Sequence, residues 1–147
     1  TRRRGDRGET MDIDHITGRI IDTSIKIHTS LDPGLLESVY ETVLTRSLQQ
    51  QGLAVAQQKP VTFSYEDMVF KEGFRVDLLI ENKVIVELKS VEKLLPVHSK
   101  QLLTYLRLMN LPVGLLINFG GATLKEGLHR VVNKLPSSAS THLRVNQ

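Results

Sequence analysis

The stretch Phe74–Ser90, FRVDLLIENKVIVELKS, constrains this chain more than any other. It reads as two strands joined by a tight turn, with apolar, β-branched runs on either side of Glu81-Asn82-Lys83. Three charged residues, Asp77, Glu87 and Lys89, interrupt those runs. A charge in a strand that is otherwise built for burial is costly unless it is paired, metal-bound or turned to solvent. The stretch therefore implies both a sheet interior and a point where that interior gives way to chemistry.

Side chains two apart on a strand share a face. Glu87 and Lys89 point with Ile85, while Val84, Val86 and Leu88 point the other way. On the preceding strand Asp77 goes with Arg75 and Leu79. A hairpin centred on Asn82 sets Asp77 opposite Glu87, with Cβ atoms about 5 Å apart. This needs a three- or five-residue connection around Asn82, or a compensating bulge, because a two-residue loop breaks the facing. Asparagine tolerates the left-handed backbone of such a turn. Two carboxylates this close repel each other. Mg²⁺ or Mn²⁺ is the natural counter-charge, since hard cations take oxygen ligands and often only one or two carboxylates. A lysine on the same face can orient or deprotonate water, or stabilise a pentavalent phosphorus transition state. A bare Glu-x-Lys is more often a solvated strand end; the aspartate ten residues earlier is what shifts the balance.

The remaining pattern supplies the frame. Ile13, Ile16, Ile20 and Ile27 recur at near-helical spacing, with Asp12 or Asp14 as cap and Gly18 as a point of close packing. Asp32-Pro33 reads as the start of a second helix running to Gln51, with Leu36, Tyr40, Val43, Leu44 and Leu48 as its buried stripe and Gly52 as its stop. From Leu53 the period becomes two. Pro60 marks an edge or an interruption, Glu66-Asp67 a turn and Gly73 a bulge. A third helix spans Val97–Met109, and Val113–Phe119 is a strand buried on both faces. Leu124–Val132 reads as a last strand or a short helix. A strand reached through a helical crossover lies parallel to a neighbour in the same sheet. The expected class is thus α/β, with an α+β-like element order: a mixed central sheet flanked by helices.

Composition narrows the class. The 147 residues suit one domain, with 40% hydrophobic and 24% charged residues. No apolar run approaches a membrane span, no signal-peptide pattern opens the chain, and without cysteine there are no disulfides or thiolate zinc sites. A cytoplasmic protein that engages no membrane is expected. The net charge of +3 owes much to Arg2, Arg3, Arg4 and Arg7. Residues 1–11 read as a disordered basic leader with Met11 as the expected natural start, residues 12–135 as one domain, and the Ser/Thr-rich residues 136–147 as a flexible tail.

Two helices add chemistry-bearing residues. Glu37 borders the buried stripe marked by Tyr40 and Leu44, and taken alone is a first-turn acid favoured by the helix dipole. Gln101 and Tyr105, at i and i+4, share a helix face from which they can hydrogen-bond a lysine, a carboxylate or a phosphate.

Taken in order, Gly34-x-x-Glu37-x-x-Tyr40, Asp77, Glu87-Leu88-Lys89 and Gln101-x-x-x-Tyr105 resemble the GxxExxY protein family of the PD-(D/E)xK nuclease superfamily. The resemblance covers roughly residues 13–133. It implies a restriction-endonuclease-like core with the site at one edge of the sheet. It implies divalent metal on Asp77 and Glu87, with the Leu88 backbone carbonyl as a further ligand and Glu37 as the acid of the first core helix. Lys89 matches the catalytic lysine, and Gln101 and Tyr105 match a supporting helix motif. Val76 stands where many relatives carry proline. The expected function is a Mg²⁺- or Mn²⁺-dependent nuclease hydrolysing phosphodiester bonds, with DNA the expected substrate. The alternative is a non-catalytic nucleic-acid- or protein-binding module on the same fold, including a homodimeric scaffold with Val113–Phe119 or Val97–Met109 near the interface. Modest charge and few aromatics favour that alternative; the retained Asp, Glu and Lys oppose it.

Overall fold

A computed structural model of the chain describes residues 11–134. The tail expected over residues 136–147 lies outside this range, as does the expected leader apart from Met11. The described elements are α1 (Ile13–Leu31), α2 (Glu37–Gln50), β1 (Val55–Tyr65), β2 (Met68–Ile80), β3 (Val84–Lys89), α3 (Pro96–Met109), β4 (Val113–Asn118), a 3-10 turn (Lys125–Gly127) and β5 (Leu128–Val132). The strands form one sheet in the order β1-β2-β3-β4-β5. Only the β3–β4 pair is parallel, as a crossover through α3 requires. This is the mixed, helix-flanked α/β architecture of a restriction-endonuclease-like core.

The sheet carries two apolar layers. On one face Ile16, Ile20 and Ile27 of α1 and Tyr40, Leu44 and Leu48 of α2 pack against Leu78, Ile80, Val84, Val86 and Leu88. On the other, Leu102 and Leu106 of α3 cover Val76, Leu79, Ile85 and Leu116. Every residue of β4 is buried. Hydrogen-bonded on both edges and covered on both faces, β4 leaves no surface for the dimer contact expected near Val113–Phe119. No helix among the described residues is long and apolar enough to cross a membrane.

Local chemistry sets the element ends. Asp12 caps α1, its Oδ1 accepting the His15 N–H at 2.8 Å. Around Gly18 nothing lies within 4 Å of where a Cβ would sit, so the expected close packing is absent. The second helix begins later than Asp32-Pro33 predicts. Asp32 instead ends α1, with φ 60° and its N–H on the His28 carbonyl. Gly34 at φ 116° then turns the chain out of helical conformation, and α2 starts at Glu37. Tyr40 pins this loop: its hydroxyl donates to the Asp32 carbonyl at 2.6 Å and accepts the Leu35 N–H at 3.2 Å, while its ring stacks on Phe119.

β1 is the edge strand that Pro60 signals, and it runs unbroken through the proline. The β1–β2 register shifts between Val61 and Phe63, where β2 contributes the extra residues around Gly73. A Cβ at Gly73 would collide with the Phe63 ring, so glycine there lets the two strands close over an aromatic side chain.

Candidate active site

The β2–β3 hairpin turns through Glu81-Asn82-Lys83. Glu81 and Asn82 have φ of 54° and 55°, and the Lys83 N–H returns to the Ile80 carbonyl at 2.9 Å. The ladder runs Ile80↔Val84, Leu79↔Ile85, Leu78↔Val86 and then stops. The next opposed residues in that register are Asp77 and Glu87.

Beyond Leu78 and Val86, side chains take over from backbone. The Asp77 N–H donates to Glu87 Oε2 at 2.8 Å, and the Leu88 N–H donates to Asp77 Oδ2 at 2.8 Å. Each carboxylate thus closes a bond to the other strand, a reciprocal clasp at the point where the strands part. Strict alternation also fails here. Val76 and Leu79 both pack under α3, so β2 changes face at Asp77, and Arg75 is exposed against Glu72 instead of sharing a site-facing row. The Asp77 carboxylate consequently lies in the gap where β2 and β3 part. Leu88 turns its N–H toward β2, and the carbonyl of a strand residue follows its own N–H. The Leu88 carbonyl therefore faces the same gap between the two strands.

A third acid joins from α2. Gln58, in the left-handed region at φ 47°, is absent from the β1–β2 ladder opposite Asp77. Its side-chain amide donates to Asp77 Oδ1 at 3.2 Å and to Glu41 Oε1 at 2.9 Å, and Gln57 donates to Glu41 Oε2 at 3.2 Å. Glu37, exposed in the first turn of α2, lies one turn before Glu41 and acts on it through its charge. Glu41, Gln57 and Gln58 escape a reading of the sequence. Their one signal is the Glu37–Glu41 spacing, a like-charge i,i+4 pair that an isolated helix disfavours.

The electrostatics follow from this crowding. Glu87 is 6% exposed, and its carboxyl is pushed from the ordinary 4.5 up to about 8. Burial is the main cause and the Asp77 charge the second; the Asp77 N–H and the Lys89 ammonium oppose them, and Glu41 adds to the rise. Glu41 is also raised, first by partial burial, with Asp77 and Glu37 adding and its two glutamine bonds opposing. The Tyr105 hydroxyl is raised by burial and then by Glu87 and Asp77. Tyr105 therefore senses both acids from α3, and its ring stacks on Phe74 at 4.3 Å. Gln101 is exposed one turn earlier and hydrogen-bonds none of the acids.

Lys89 closes β3 two residues beyond Glu87, half-buried and paired in the ladder with Asn118. The ion pairs among the described residues, Arg75–Glu72 and Arg130–Asp14, do not involve it. The chain beyond is fixed by Asn118, whose amide accepts from the Val91 N–H and donates to the Val91 carbonyl, and by Ser90, whose hydroxyl donates to the Leu35 carbonyl. The loop that Tyr40 pins is thereby tied to the end of β3.

Among the described residues no three His, Cys, Asp or Glu side chains form a ready-made metal cage. The donors that do converge, two carboxylates and the Leu88 carbonyl, are all hard oxygens. Burial and the Asp77 charge, which Lys89 only partly offsets, oppose full ionisation of the pair unless positive charge is supplied. This set fits a cation such as Mg²⁺, which keeps several waters and takes few protein ligands.

A family model described as the PD-(D/E)XK nuclease superfamily matches residues 14–131. No curated protein matches the chain, and no solved structure does. The matched span holds the whole sheet but for the last residue of β5, together with both acids and the lysine. It carries a nuclease-type function in general, nucleic acid as the substrate class, and the superfamily's general use of divalent metal. The chain belongs to the PD-(D/E)XK nuclease superfamily.

Proposed function

We propose that this chain hydrolyses phosphodiester bonds, in DNA ahead of RNA, with Mg²⁺ or Mn²⁺ held by Asp77, Glu87 and the Leu88 carbonyl. The observation that carries the proposal is the reciprocal Asp77–Glu87 clasp at the open end of the β2–β3 ladder, with Lys89 two residues on. The Gly34-x-x-Glu37-x-x-Tyr40 spacing supports placement in the GxxExxY family within the superfamily. When bound, the cation neutralises charge at the phosphoryl group and acidifies water.

The chain's own residues do the rest. Burial keeps a proton on Glu87 near neutral pH in the free protein, and Glu87 releases it as the site takes up positive charge. Lys89, on the strand that carries Glu87, orients the attacking water and stabilises the negative charge on the phosphoryl oxygens in the transition state. Tyr105 donates toward a phosphate oxygen, with Gln101 one turn away along the same helix face. Glu37 and Glu41 supply the negative wall on the α2 side, where Gln58 spaces Glu41 from Asp77. Tyr40 acts at one remove, by holding the Asp32–Leu36 loop over the end of β3.

The test is purified protein with Mg²⁺ or Mn²⁺ against a panel of single- and double-stranded DNA and RNA, with Lys89→Ala as control. Metal-dependent cleavage that disappears in the folded variant is expected; equal cleavage by Lys89→Ala defeats the assignment. One observation favours the non-catalytic module: the clasp already satisfies one oxygen of each carboxylate with a backbone N–H. Calorimetric titration separates the two readings. The module is selected if neither Mg²⁺ nor Mn²⁺ gives a binding heat that Asp77→Ala removes.

A further inference from the structure

The β1–β2 hairpin extends well past the end of β3. The β2–β3 ladder stops at Leu78, yet β2 continues back to Met68, a span of about 30 Å. This projection carries an aromatic row. Phe63 stacks on Phe70 with ring centres 5.2 Å apart and lies 6.1 Å from Phe74, which stacks on Tyr105 at 4.3 Å. Beyond Phe70, Tyr65 and Met68 pair across the tip, two residues along each strand from Phe63 and Phe70 and so on their face. Exposure rises outward, to 41% at Phe70, 48% at Tyr65 and 51% at Met68. The inner end of the row, Phe74 stacked on Tyr105, lies three residues along β2 from Asp77.

A row of half-exposed rings leading to a site that acts on nucleic acid has one economical use. We infer that this hairpin face is a stacking platform for unpaired bases, seating single-stranded nucleic acid beside the acids; the inference rests on the nuclease reading and names its substrate form. Three features favour this occupant. The row is continuous with the site, so a strand lying on it reaches Asp77 and Glu87 without leaving the protein. The hairpin carries one more acid than base, with Lys59, Lys71 and Arg75 against Glu66, Asp67, Glu72 and Asp77. Phosphate neutralisation therefore cannot be its main attraction, whereas base–aromatic stacking needs no net charge. Finally, the free edge of β1 is a poor template for a second copy of the chain. Pro60 lacks an N–H, and Gln58 kinks the strand with a left-handed φ.

The test is fluorescence anisotropy of the full chain in EDTA, so that no cleavage intervenes, with labelled oligothymidylate, oligouridylate and a blunt DNA duplex. Wild type is expected to bind the single strands more tightly than the duplex, with a shallow salt dependence. Tyr65→Ala/Phe70→Ala should weaken single-strand binding at least about tenfold, and Phe70→Trp should restore it where alanine does not. The two single strands distinguish DNA from RNA as the source of the bases. Unchanged affinity in the double variant, or equal affinity for duplex, overturns the platform. So does a wild-type dimer in ultracentrifugation that the double variant dissociates, since the face would then seat a second copy. Because binding is read without metal, single-strand affinity that depends on the rings upholds the platform even if no cation gives cleavage, and cleavage without such affinity refutes it alone.

Discussion

The two ends of the β2–β3 hairpin are built from the same two strands and obey opposite rules. At the closed end Leu78, Ile80, Val84 and Val86 are fully buried, and backbone pairs join the strands. At the open end the same register brings two carboxylates together, and side chains replace the ladder. The closed end gains from everything it buries. The open end buries a glutamate whose proton affinity is raised well above that of an ordinary carboxylate by desolvation and its neighbour's charge. A fold under no other demand would continue the apolar alternation. What the difference teaches is that the closed end holds the register that the open end uses.

The comparison breaks first on activity. Lys89→Ala and Asp77→Asn should each lower metal-dependent cleavage by a factor on the order of 10²–10⁴. Neither should lower thermal stability by much, since Lys89 is half-buried and asparagine keeps an acceptor for the Leu88 N–H. Full activity in either variant would place the chemistry elsewhere. The closed end should respond the other way. Leu78→Ala empties volume from a fully buried site and should cost about 2–5 kcal/mol in denaturant unfolding, with the activity of the folded fraction kept. Loss of turnover without loss of stability would mean that the two ends are not separable.

The pH dependence of stability sharpens the same contrast. Glu87 binds its proton more tightly folded than unfolded, so its contribution is complete below pH 4.5 and is lost as pH rises toward about 8. Metal-free wild type should therefore lose stability across that window by an amount on the order of a few kcal/mol. Glu87→Gln should flatten the curve, because glutamine keeps an oxygen for the Asp77 N–H and carries no charge. Above neutral pH, Mg²⁺ should raise the melting temperature of wild type and leave Glu87→Gln unmoved. Parallel pH curves for the two proteins would remove the buried charge from the account.

How far the sequence foretells this site depends on what fixes each residue. Asp77 opposite Glu87 is legible because alternation and a turn centred on Asn82 set a register, and the register survives even where β2 changes face. The start of α2 is misread because Asp-Pro serves equally to begin a helix and to leave one. Only tertiary bonds, Tyr40 to Asp32 among them, decide between the two. Gly73 is readable as a bulge, though not its reason, since the Phe63 ring that would fill the Cβ position comes from another strand. Glu41 is hidden in the same way: its link to Asp77 passes through a glutamine on β1 whose conformation no local pattern predicts.

That glutamine carries the smallest expected effect. Gln58 holds φ 47°, which costs a non-glycine residue roughly 1–2 kcal/mol, and uses the position to place one amide between Glu41 and Asp77. Gln58→Ala keeps the strain and loses both bonds; Gln58→Gly loses the bonds and relieves the strain. The glycine variant should therefore be more stable than the alanine variant by up to about 1 kcal/mol. Both should share a few-fold loss in cleavage, because Glu41 is then free to turn away from Asp77. Equal stability of the two variants would mean that the strain is not felt, and a cleavage rate equal to wild type in both would detach α2's acid from the open end. A loss confined to Gln58→Ala would assign the effect to the backbone of β1. A loss common to both would extend the clasp from two strands to three elements.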